Sequence, residues 1–241
     1  MQEQQIGPLK CRIVGNPKVA KLTAVFCHGY GAPGTDLVQL APEILGLDER
    51  LDGQVAFVFP EAPLSLAELG MPGGRAWWEI NMMRLQQLLQ TRQIEKLVMA
   101  EPPGLKEARE LFQKFLEALQ SEYDLTMDRL ILGGFSQGAM LTTDFFLRTS
   151  DQPAGLCLYS GTTICLEDWQ KLAQKKTKLP ILQSHGTQDP ILPYEAAVLL
   201  KDLLNENGQE VEFLPFQGPH TIPYEALERT VKMLVELLVH K

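Results

Sequence analysis

Cysteine is scarce in this chain. Its 241 residues include four cysteines, which are Cys11, Cys27, Cys157 and Cys165. None of them belongs to a C-x-x-C pattern and most lie inside apolar runs, so we expect neither a disulfide framework nor a cysteine-based metal site. We interpret the four as buried thiols of a protein in a reducing compartment.

Long hydrophobic runs and an excess of basic residues are also missing. The longest apolar stretches are far shorter than the ~20 residues that cross a bilayer, and the opening MQEQQIGPLK has no apolar signal-peptide core. The formal net charge is −8, and an acidic surface repels nucleic-acid phosphates and anionic lipids. The sequence therefore predicts a cytoplasmic protein that binds no nucleic acid and has no integral membrane association.

Motifs that hold metals or nucleoside triphosphates are lacking as well. No group of His, Cys, Asp and Glu has the spacing of metal ligands, and no G-x-x-x-x-G-K-[ST] loop occurs. We therefore predict no metal and no cofactor. Hydrophobic residues make up 45% of the chain, which is typical of a packed globular protein and excludes disorder.

What the sequence contains is an alternation of short apolar runs with longer amphipathic segments. The runs are predicted as strands at 22–27, 55–59, 130–132, 155–159, 179–182 and 211–216. The segments between them are predicted as helices at 37–46, 105–123, 139–149, 166–175, 194–207 and 223–239. Several runs are unbroken, as expected where helices cover both faces of a mostly parallel sheet. The pattern predicts an α/β fold in one domain, spanning 1–241.

The least regular part of the sequence is residues 61–103. It holds two adjacent tryptophans and several methionines and glycines. An excursion of this length over a compact domain is typical of a lid or a binding element. We name it the excursion.

The first chemical signal is GFSQG at 134–138, which fits G-x-S-x-G and lies between a predicted strand and a predicted helix. A serine on such a sharp turn needs small neighbours, because the backbone passes close to itself. The pattern predicts Ser136 as a nucleophile.

A serine nucleophile needs a base and an acid that orients the base. In α/β-hydrolases these follow in the order Ser, acid, His, which leaves His220 and His240 as bases. His220 lies in the loop after the last predicted strand, whereas a helix-dipole contact accounts for His240. Asp189 follows a core-like strand and is favoured as the acid over Asp151 and Asp168.

The developing oxyanion needs backbone N–H donors, each worth about 3–4 kcal/mol. One is expected from Gln137, the residue after the nucleophile. The loop after the strand at 22–27 should supply the other, and Tyr30 is the candidate there.

Six short segments follow one another as in a known family. They are HGYG at 28–31, RAWW at 75–78, GGFSQG at 133–138, SG at 160–161, HG with the following Asp189, and GPH at 218–220. Together they resemble the carboxylesterase and lysophospholipase family that includes the acyl-protein thioesterases. The resemblance implies an α/β-hydrolase fold and metal-free hydrolysis of carboxylic esters or thioesters. It also implies Ser136, Asp189 and His220 as the triad and Tyr30 and Gln137 as oxyanion donors. The family's aspartate after H-G-x-G is absent here.

Further residues have competing interpretations. Leu64, Trp77, Trp78 and Met82 are candidate substrate contacts, although the tryptophans could equally be core residues. The apolar stripe of Met82, Met83, Leu85, Leu88 and Leu89, together with Met71, could line an acyl site or merely pack on the body. His28 and His185 are expected to hold loops through backbone hydrogen bonds, and Arg75 to be a salt-bridged loop residue.

The sequence predicts a serine esterase with a small-molecule ester or acyl substrate, present as a monomer or homodimer. One alternative is a non-catalytic lipid- or protein-binding module on the same scaffold. Another is a peptidase or lactonase with the same triad.

Overall fold

A computed structural model describes residues 1–239. The ten strands are β1 (Gln2–Ile6), β2 (Leu9–Val14), β3 (Leu22–Cys27), β4 (Val55–Pro60), β5 (Leu64–Ser65), β6 (Arg75–Ala76), β7 (Leu130–Phe135), β8 (Gly155–Tyr159), β9 (Pro180–Gly186) and β10 (Glu210–Phe216). The α-helices are α1 (Leu40–Leu47), α2 (Met82–Gln90), α3 (Ile94–Met99), α4 (Leu105–Tyr123), α5 (Gln137–Arg148), α6 (Leu166–Ala173), α7 (Tyr194–Glu206) and α8 (Tyr224–Val239).

Eight strands form one sheet in the order β1-β2-β4-β3-β7-β8-β9-β10. The six strands from β4 to β10 pair in parallel, and β1 and β2 add an antiparallel edge. Every predicted strand and helix is present, which confirms the α/β fold.

Helices cover both faces of the sheet and explain the unbroken apolar strands. On β3, Val25 and Cys27 belong to a core with α4 and α5, while Ala24 and Phe26 belong to a second core with α1 and α8. Because alternate side chains point to opposite faces, a strand covered on both sides is apolar throughout. All four cysteines are buried free thiols, as predicted.

Two groups of elements in the structure were not predicted. The N-terminal hairpin β1–β2 was not predicted, because QEQQI is polar and its side chains are mostly exposed at the sheet edge. The excursion is more regular than predicted, since it contains the β5–β6 hairpin and helices α2 and α3.

No helix within residues 1–239 is long and apolar enough to span a membrane. The predicted helix-dipole contact of His240 lies outside the described residues.

Candidate active site

Ser136 occupies a sharp turn between β7 and α5. Its φ is 55° and its ψ is −116°, a conformation that costs energy for any residue with a side chain. A Cβ on Gly134 or Gly138 would lie 2.2 or 2.0 Å from the carbonyl oxygen of Cys27. Both glycines of the motif are therefore required by the close passage of β3, and together they hold the serine in this turn.

Asp189 and His220 lie together just beyond the C-terminal ends of β9 and β10. The His220 Nδ1 is 2.6 Å from the Asp189 Oδ2. Their loops are bonded to one another, since Thr187 N–H donates to Phe216 O at 2.8 Å and Gln188 N–H donates to Gly218 O at 3.1 Å. The loops approach so closely that a Cβ on Gly186 would meet the Gly218 carbonyl oxygen at 2.4 Å.

The side chain of Asp189 is fully buried, and its carboxylate accepts three hydrogen bonds. Its Oδ1 accepts from the N–H groups of Ile191 and Leu192, at 2.8 and 2.9 Å. Its Oδ2 accepts from His220 Nδ1 and also lies 3.2 Å from His185 Nε2. Burial by itself raises the pKa of Asp189, but the hydrogen bonds from His185, His220 and Leu192 outweigh it and hold that pKa well below its usual value. Asp189 is therefore an anion throughout the neutral range.

The other acids considered do not lie at this position. Asp168 is half exposed and faces Arg148 at 3.4 Å, and Asp151 is an exposed residue after α5. Of the three candidates, Asp189 is the one hydrogen-bonded to His220.

Ser136 and His220 line the same small cavity, of about 150 Å³. The ring of Phe135 packs on His220 with the centroids 4.7 Å apart. Ser136 is 9% exposed, so its hydroxyl is sheltered from bulk water but open to the cavity. Tyr30 and Met82 line this cavity too.

Of the two predicted oxyanion donors, Tyr30 lines this cavity and Gln137 directly follows Ser136. Gln137 is the first residue of α5, and the N–H groups of a first helical turn have no partner within the helix. Tyr30 lies in the loop after β3, where its N–H has no hydrogen-bond acceptor among the described residues. The next residue fixes this loop, because Gly31 N–H donates to Arg75 O at 2.9 Å and Arg75 N–H returns a bond to Ala32 O.

The side chain of Gln137 connects the excursion to the nucleophile turn. Its Oε1 accepts from Trp77 N–H at 2.9 Å, and its Nε2 donates to Trp78 O at 2.8 Å. The carboxamide thus pairs with the backbone as a neighbouring strand would. Sequence reasoning identified this residue for its N–H and gave no signal for the second role.

The four candidate substrate contacts fall into different places. Trp77 is core: its indole N–H donates to His28 O at 2.9 Å and it lines neither cavity described here. Trp78 is buried but lines a second, larger cavity. Leu64 is 38% exposed on the β5–β6 hairpin, outside both cavities. Met82 alone of the four lines the small cavity.

The larger cavity measures about 730 Å³ and is bounded by both helices of the excursion. Four residues line both cavities, so the two adjoin: Ile80, Leu85, Met140 and Leu192. Of the predicted stripe, Met83, Leu85 and Leu88 face it. Met140 and Leu192 were not among the predicted contacts. Their positions in the sequence could have indicated them, because Met140 lies one helical turn after Ser136 and Leu192 lies three residues after Asp189.

Two further histidines hold loops, as predicted. His28 Nε2 accepts a hydrogen bond from Ala62 N–H at 3.1 Å, and burial lowers the pKa of His28, which keeps the ring neutral. His185 Nε2 lies 3.0 Å from Leu192 O. Arg75 lies 3.5 Å from the Glu61 carboxylate and donates to Ala62 O, so the predicted ion pair is present. The residue lies in strand β6, however, and not in a loop.

Neither a metal site nor a dinucleotide site is apparent in the described part of the chain. No cluster of three or more His, Cys, Asp or Glu that could hold a metal occurs within residues 1–239. Residues 29–34 happen to fit G-x-G-x-x-G, a spacing that in dinucleotide sites opens a helix toward the pyrophosphate. Here Gly34 instead packs against the Arg12–Glu61 ion pair, and a four-residue 3-10 helix follows.

The parallel sheet, the serine turn after β7 and the acid and histidine after β9 and β10 define the α/β-hydrolase class. Within that class the chain belongs to the phospholipase/carboxylesterase family, whose model matches residues 10–238. This confirms the resemblance seen in the sequence and makes the chain a carboxylic ester hydrolase.

Individual relatives agree with the family assignment. The acyl-protein thioesterase 1 of Neurospora crassa is 29% identical over 92% of this chain and 90% of its own length. The acyl-protein thioesterase 1 homolog 1 of Dictyostelium discoideum is 27% identical over 84% of this chain and 85% of its own.

Solved structures show the same fold. Esterase PE8 superposes with a TM-score of 0.78, covering 95% of this chain and 99% of its own at 24% identity. Arabidopsis thaliana SOBER1 superposes with a TM-score of 0.69, covering 91% and 100% at 21% identity.

Proposed function

We propose that this serine hydrolase cleaves thioesters and esters of long acyl chains, with Ser136 as nucleophile, His220 as general base and Asp189 as its acid partner. The observation that carries the proposal is the 2.6 Å contact between His220 Nδ1 and Asp189 Oδ2, beside a cavity that Ser136 and His220 both line. The acyl-protein thioesterases among the relatives support a thioester substrate.

The steps follow from the chemistry of the groups. Because Nδ1 of His220 donates to the Asp189 anion, Nε2 is the free base of the neutral ring. Nε2 takes the Ser136 proton as Oγ attacks the carbonyl carbon, and the resulting oxyanion is held by the N–H groups of Tyr30 and Gln137.

Collapse of this intermediate releases the alcohol or thiol, which takes its proton from His220. The acyl group is then bonded to Ser136 Oγ. Water, deprotonated by the same histidine, attacks the acyl-enzyme and frees the carboxylic acid. Asp189 keeps its charge throughout and stabilises the imidazolium in both halves of the reaction.

The larger cavity is the proposed site of the acyl chain. Its volume of about 730 Å³ lies within the range of small-molecule sites, and it adjoins the small cavity through Ile80, Leu85, Met140 and Leu192. Its charged lining residues are two acids and two bases, Glu79, Glu101, Arg84 and Lys96. The charges of these four residues sum to zero, and the rest of the cavity wall is mostly apolar.

A cytoplasmic location is also part of the proposal, as is a monomeric or homodimeric state. Four buried free cysteines suit a reducing compartment.

Replacing the proposed nucleophile tests the mechanism. We expect Ser136→Ala to reduce hydrolysis of p-nitrophenyl and thioester substrates by at least about 10⁴-fold, with an unchanged melting temperature. A fluorophosphonate, which reacts with activated serines, should label the wild type and the control Ser121→Ala but not Ser136→Ala.

Three outcomes would contradict the proposal. Retained activity in Ser136→Ala would exclude this nucleophile. An unlabelled, inactive wild type would favour the non-catalytic binding module. Faster turnover of peptide amides or lactones than of thioesters would favour the other hydrolase classes.

An acyl series from acetate to palmitate tests the cavity. Each buried methylene contributes about 0.8 kcal/mol, so we expect kcat/KM to rise up to about fourfold per methylene until the cavity is filled. Leu88→Trp fills part of the cavity and should move the optimum to shorter chains. Gln86→Trp, on the same helix but outside the lining, is the control. A length-independent kcat/KM would exclude this cavity as the acyl site.

A further inference from the structure

A second imidazole contacts the carboxylate oxygen that orients His220. His185, the penultimate residue of β9, is fully buried. Its Nε2 lies 3.2 Å from the Asp189 Oδ2, and His220 Nδ1 lies 2.6 Å from the same oxygen. One carboxylate oxygen is therefore held between two histidine rings.

The partners of His185 define where its proton sits. Nε2 contacts Asp189 Oδ2 and, at 3.0 Å, the carbonyl oxygen of Leu192. Both partners only accept hydrogen bonds, so Nε2 carries a proton. This N–H donates to Leu192 O and at the same time lies beside the carboxylate, 3.2 Å from Oδ2, whatever the state of the other ring nitrogen.

The other ring nitrogen of His185, Nδ1, bears on why a histidine occupies this position. His185 Nδ1 is buried and has no hydrogen-bond partner among the described residues. A buried polar atom without a partner costs stability. An apolar ring would avoid this cost but would remove the N–H group that lies 3.2 Å from Asp189 Oδ2.

We propose that His185 is a positioning residue for the hydrolysis, acting through Asp189. Its Nε2–H fixes the rotation of the carboxylate so that Oδ2 faces His220, and it takes up part of the negative charge on that oxygen. The proposal rests on the triad proposed above. It assigns His185 a role beyond holding the loop through Leu192.

Few other polar groups approach this ring. The ring of Tyr194 at the start of α7 lies 6.4 Å away, centroid to centroid. Pro215 is its register partner on β10. His220 faces it across the carboxylate from the loop after β10. Asp189 is thus the one anion in direct contact with His185 within residues 1–239.

The direction of the effect on pH dependence follows from this sharing of charge. Without the His185 donor, the charge on Oδ2 interacts more strongly with the imidazolium of His220, which forms more readily. His220 must be neutral to act as a base, so the acid limb of kcat/KM moves to higher pH.

Two variants separate positioning from packing. In His185→Gln the amide N–H₂ reaches about where Nε2 lies and keeps a donor, whereas His185→Phe keeps a ring of similar size without one. We expect His185→Phe to lower kcat about tenfold or more, because the charged carboxylate loses a polar N–H group in close contact with it. Its acid limb should shift upward by roughly half a pH unit. His185→Gln should restore most of both.

Melting temperatures, measured in parallel, report folding, and the far-downfield proton resonance of a His–carboxylate hydrogen bond gives a second readout. We expect that resonance to move in His185→Phe and to return toward the wild-type position in His185→Gln. If His185→Phe does not fold, the comparison of His185→Gln with the wild type still applies, because an unmoved resonance and pH profile are expected there.

Two results would overturn the inference. One is a His185→Phe enzyme with the wild-type acid limb and kcat. The other is an equal loss in both variants without a pH shift, which indicates packing alone. Ser136→Ala is assayed alongside: if it stays active, the triad itself is wrong, whereas an inactive Ser136→Ala with an unaffected His185→Phe overturns the role of His185 alone.

Discussion

The carbonyl oxygen of Cys27 shapes the active site at the scale of single residues. It lies where a Cβ on either motif glycine would stand, at 2.2 Å for Gly134 and 2.0 Å for Gly138. A side chain at either position would push β3 and the turn of Ser136 apart. The two glycines of the G-x-S-x-G motif are therefore required by the close approach of β3 to the turn of Ser136.

A pair of glycine substitutions tests this reading. We expect Gly138→Ala to lower the free energy of unfolding by roughly 3 kcal/mol or more and to abolish hydrolysis, because backbone is displaced. Gly46→Ala, in the exposed part of α1 where an added Cβ meets nothing within 4 Å, should raise it by about 0.5–1 kcal/mol. Urea unfolding of both variants gives the comparison. Equal effects at the two positions would show that the closeness of Gly138 to the Cys27 carbonyl oxygen does not restrict which residue fits at position 138.

Residue positions after strands were predictable from the sequence, whereas side-chain directions were not. Asp189 and His220 each follow an apolar run, and the hydrogen bond between them has the geometry required of a triad. Trp77 and Leu64 are large apolar residues. Those properties suit a core residue or an exposed hairpin as well as a ligand contact, and the fold puts these two in such places.

At the scale of elements, Gln137 joins the excursion to α5. Its carboxamide satisfies Trp77 N–H and Trp78 O, the backbone that leads into Ile80 and Met82 of the cavity walls. The position of those walls therefore depends on one side chain at the start of α5.

Removal of this carboxamide should affect stability and acyl selectivity together. Gln137→Met leaves Trp77 N–H and Trp78 O without partners, at a cost of about 1–3 kcal/mol for each group. We expect a larger loss of kcat/KM for a palmitoyl than for an acetyl ester, because the excursion bounds the acyl cavity. Gln113→Met, exposed on α4, is the control and should change stability by less than about 0.5 kcal/mol. Equal losses for both substrates would contradict a role in placing the walls.

Element boundaries were predicted less well where polar or small residues serve the site. β7 was predicted to end at Leu132 but continues through Gly133 and Gly134, since a Cβ on Gly133 would lie 2.3 Å from Cys157 O on β8. β9 was predicted to end before Gln183 but carries that residue, Ser184 and His185 fully buried. Buried polar residues break the hydrophobic pattern on which the prediction rests.

At the scale of the whole molecule, the order of the strands creates the crevice in which the candidate active site lies. From β3 the chain continues to β4 on one side, and from β7 it continues to β8 on the other. The loops after β3 and β7 therefore diverge, and Tyr30 and Ser136 lie at this divergence. The alternation of strands and helices predicted a parallel sheet. It did not predict this order, which the family resemblance implied, and the single-domain organisation stays a prediction.

The bonds between the loops after β9 and β10 have a consequence for thermal motion. Thr187 and Gln188 are hydrogen-bonded to Phe216 and Gly218. The loop that carries the Asp189 carboxylate and the loop that carries the His220 imidazole should therefore move together. Thermal fluctuations at this end of the sheet should leave the distance between His220 and Asp189 nearly constant. They should instead vary the gap between the imidazole and the Ser136 hydroxyl, which lies in the turn after β7. In the proposed mechanism, the width of that gap sets how often Ser136 and His220 are close enough to react.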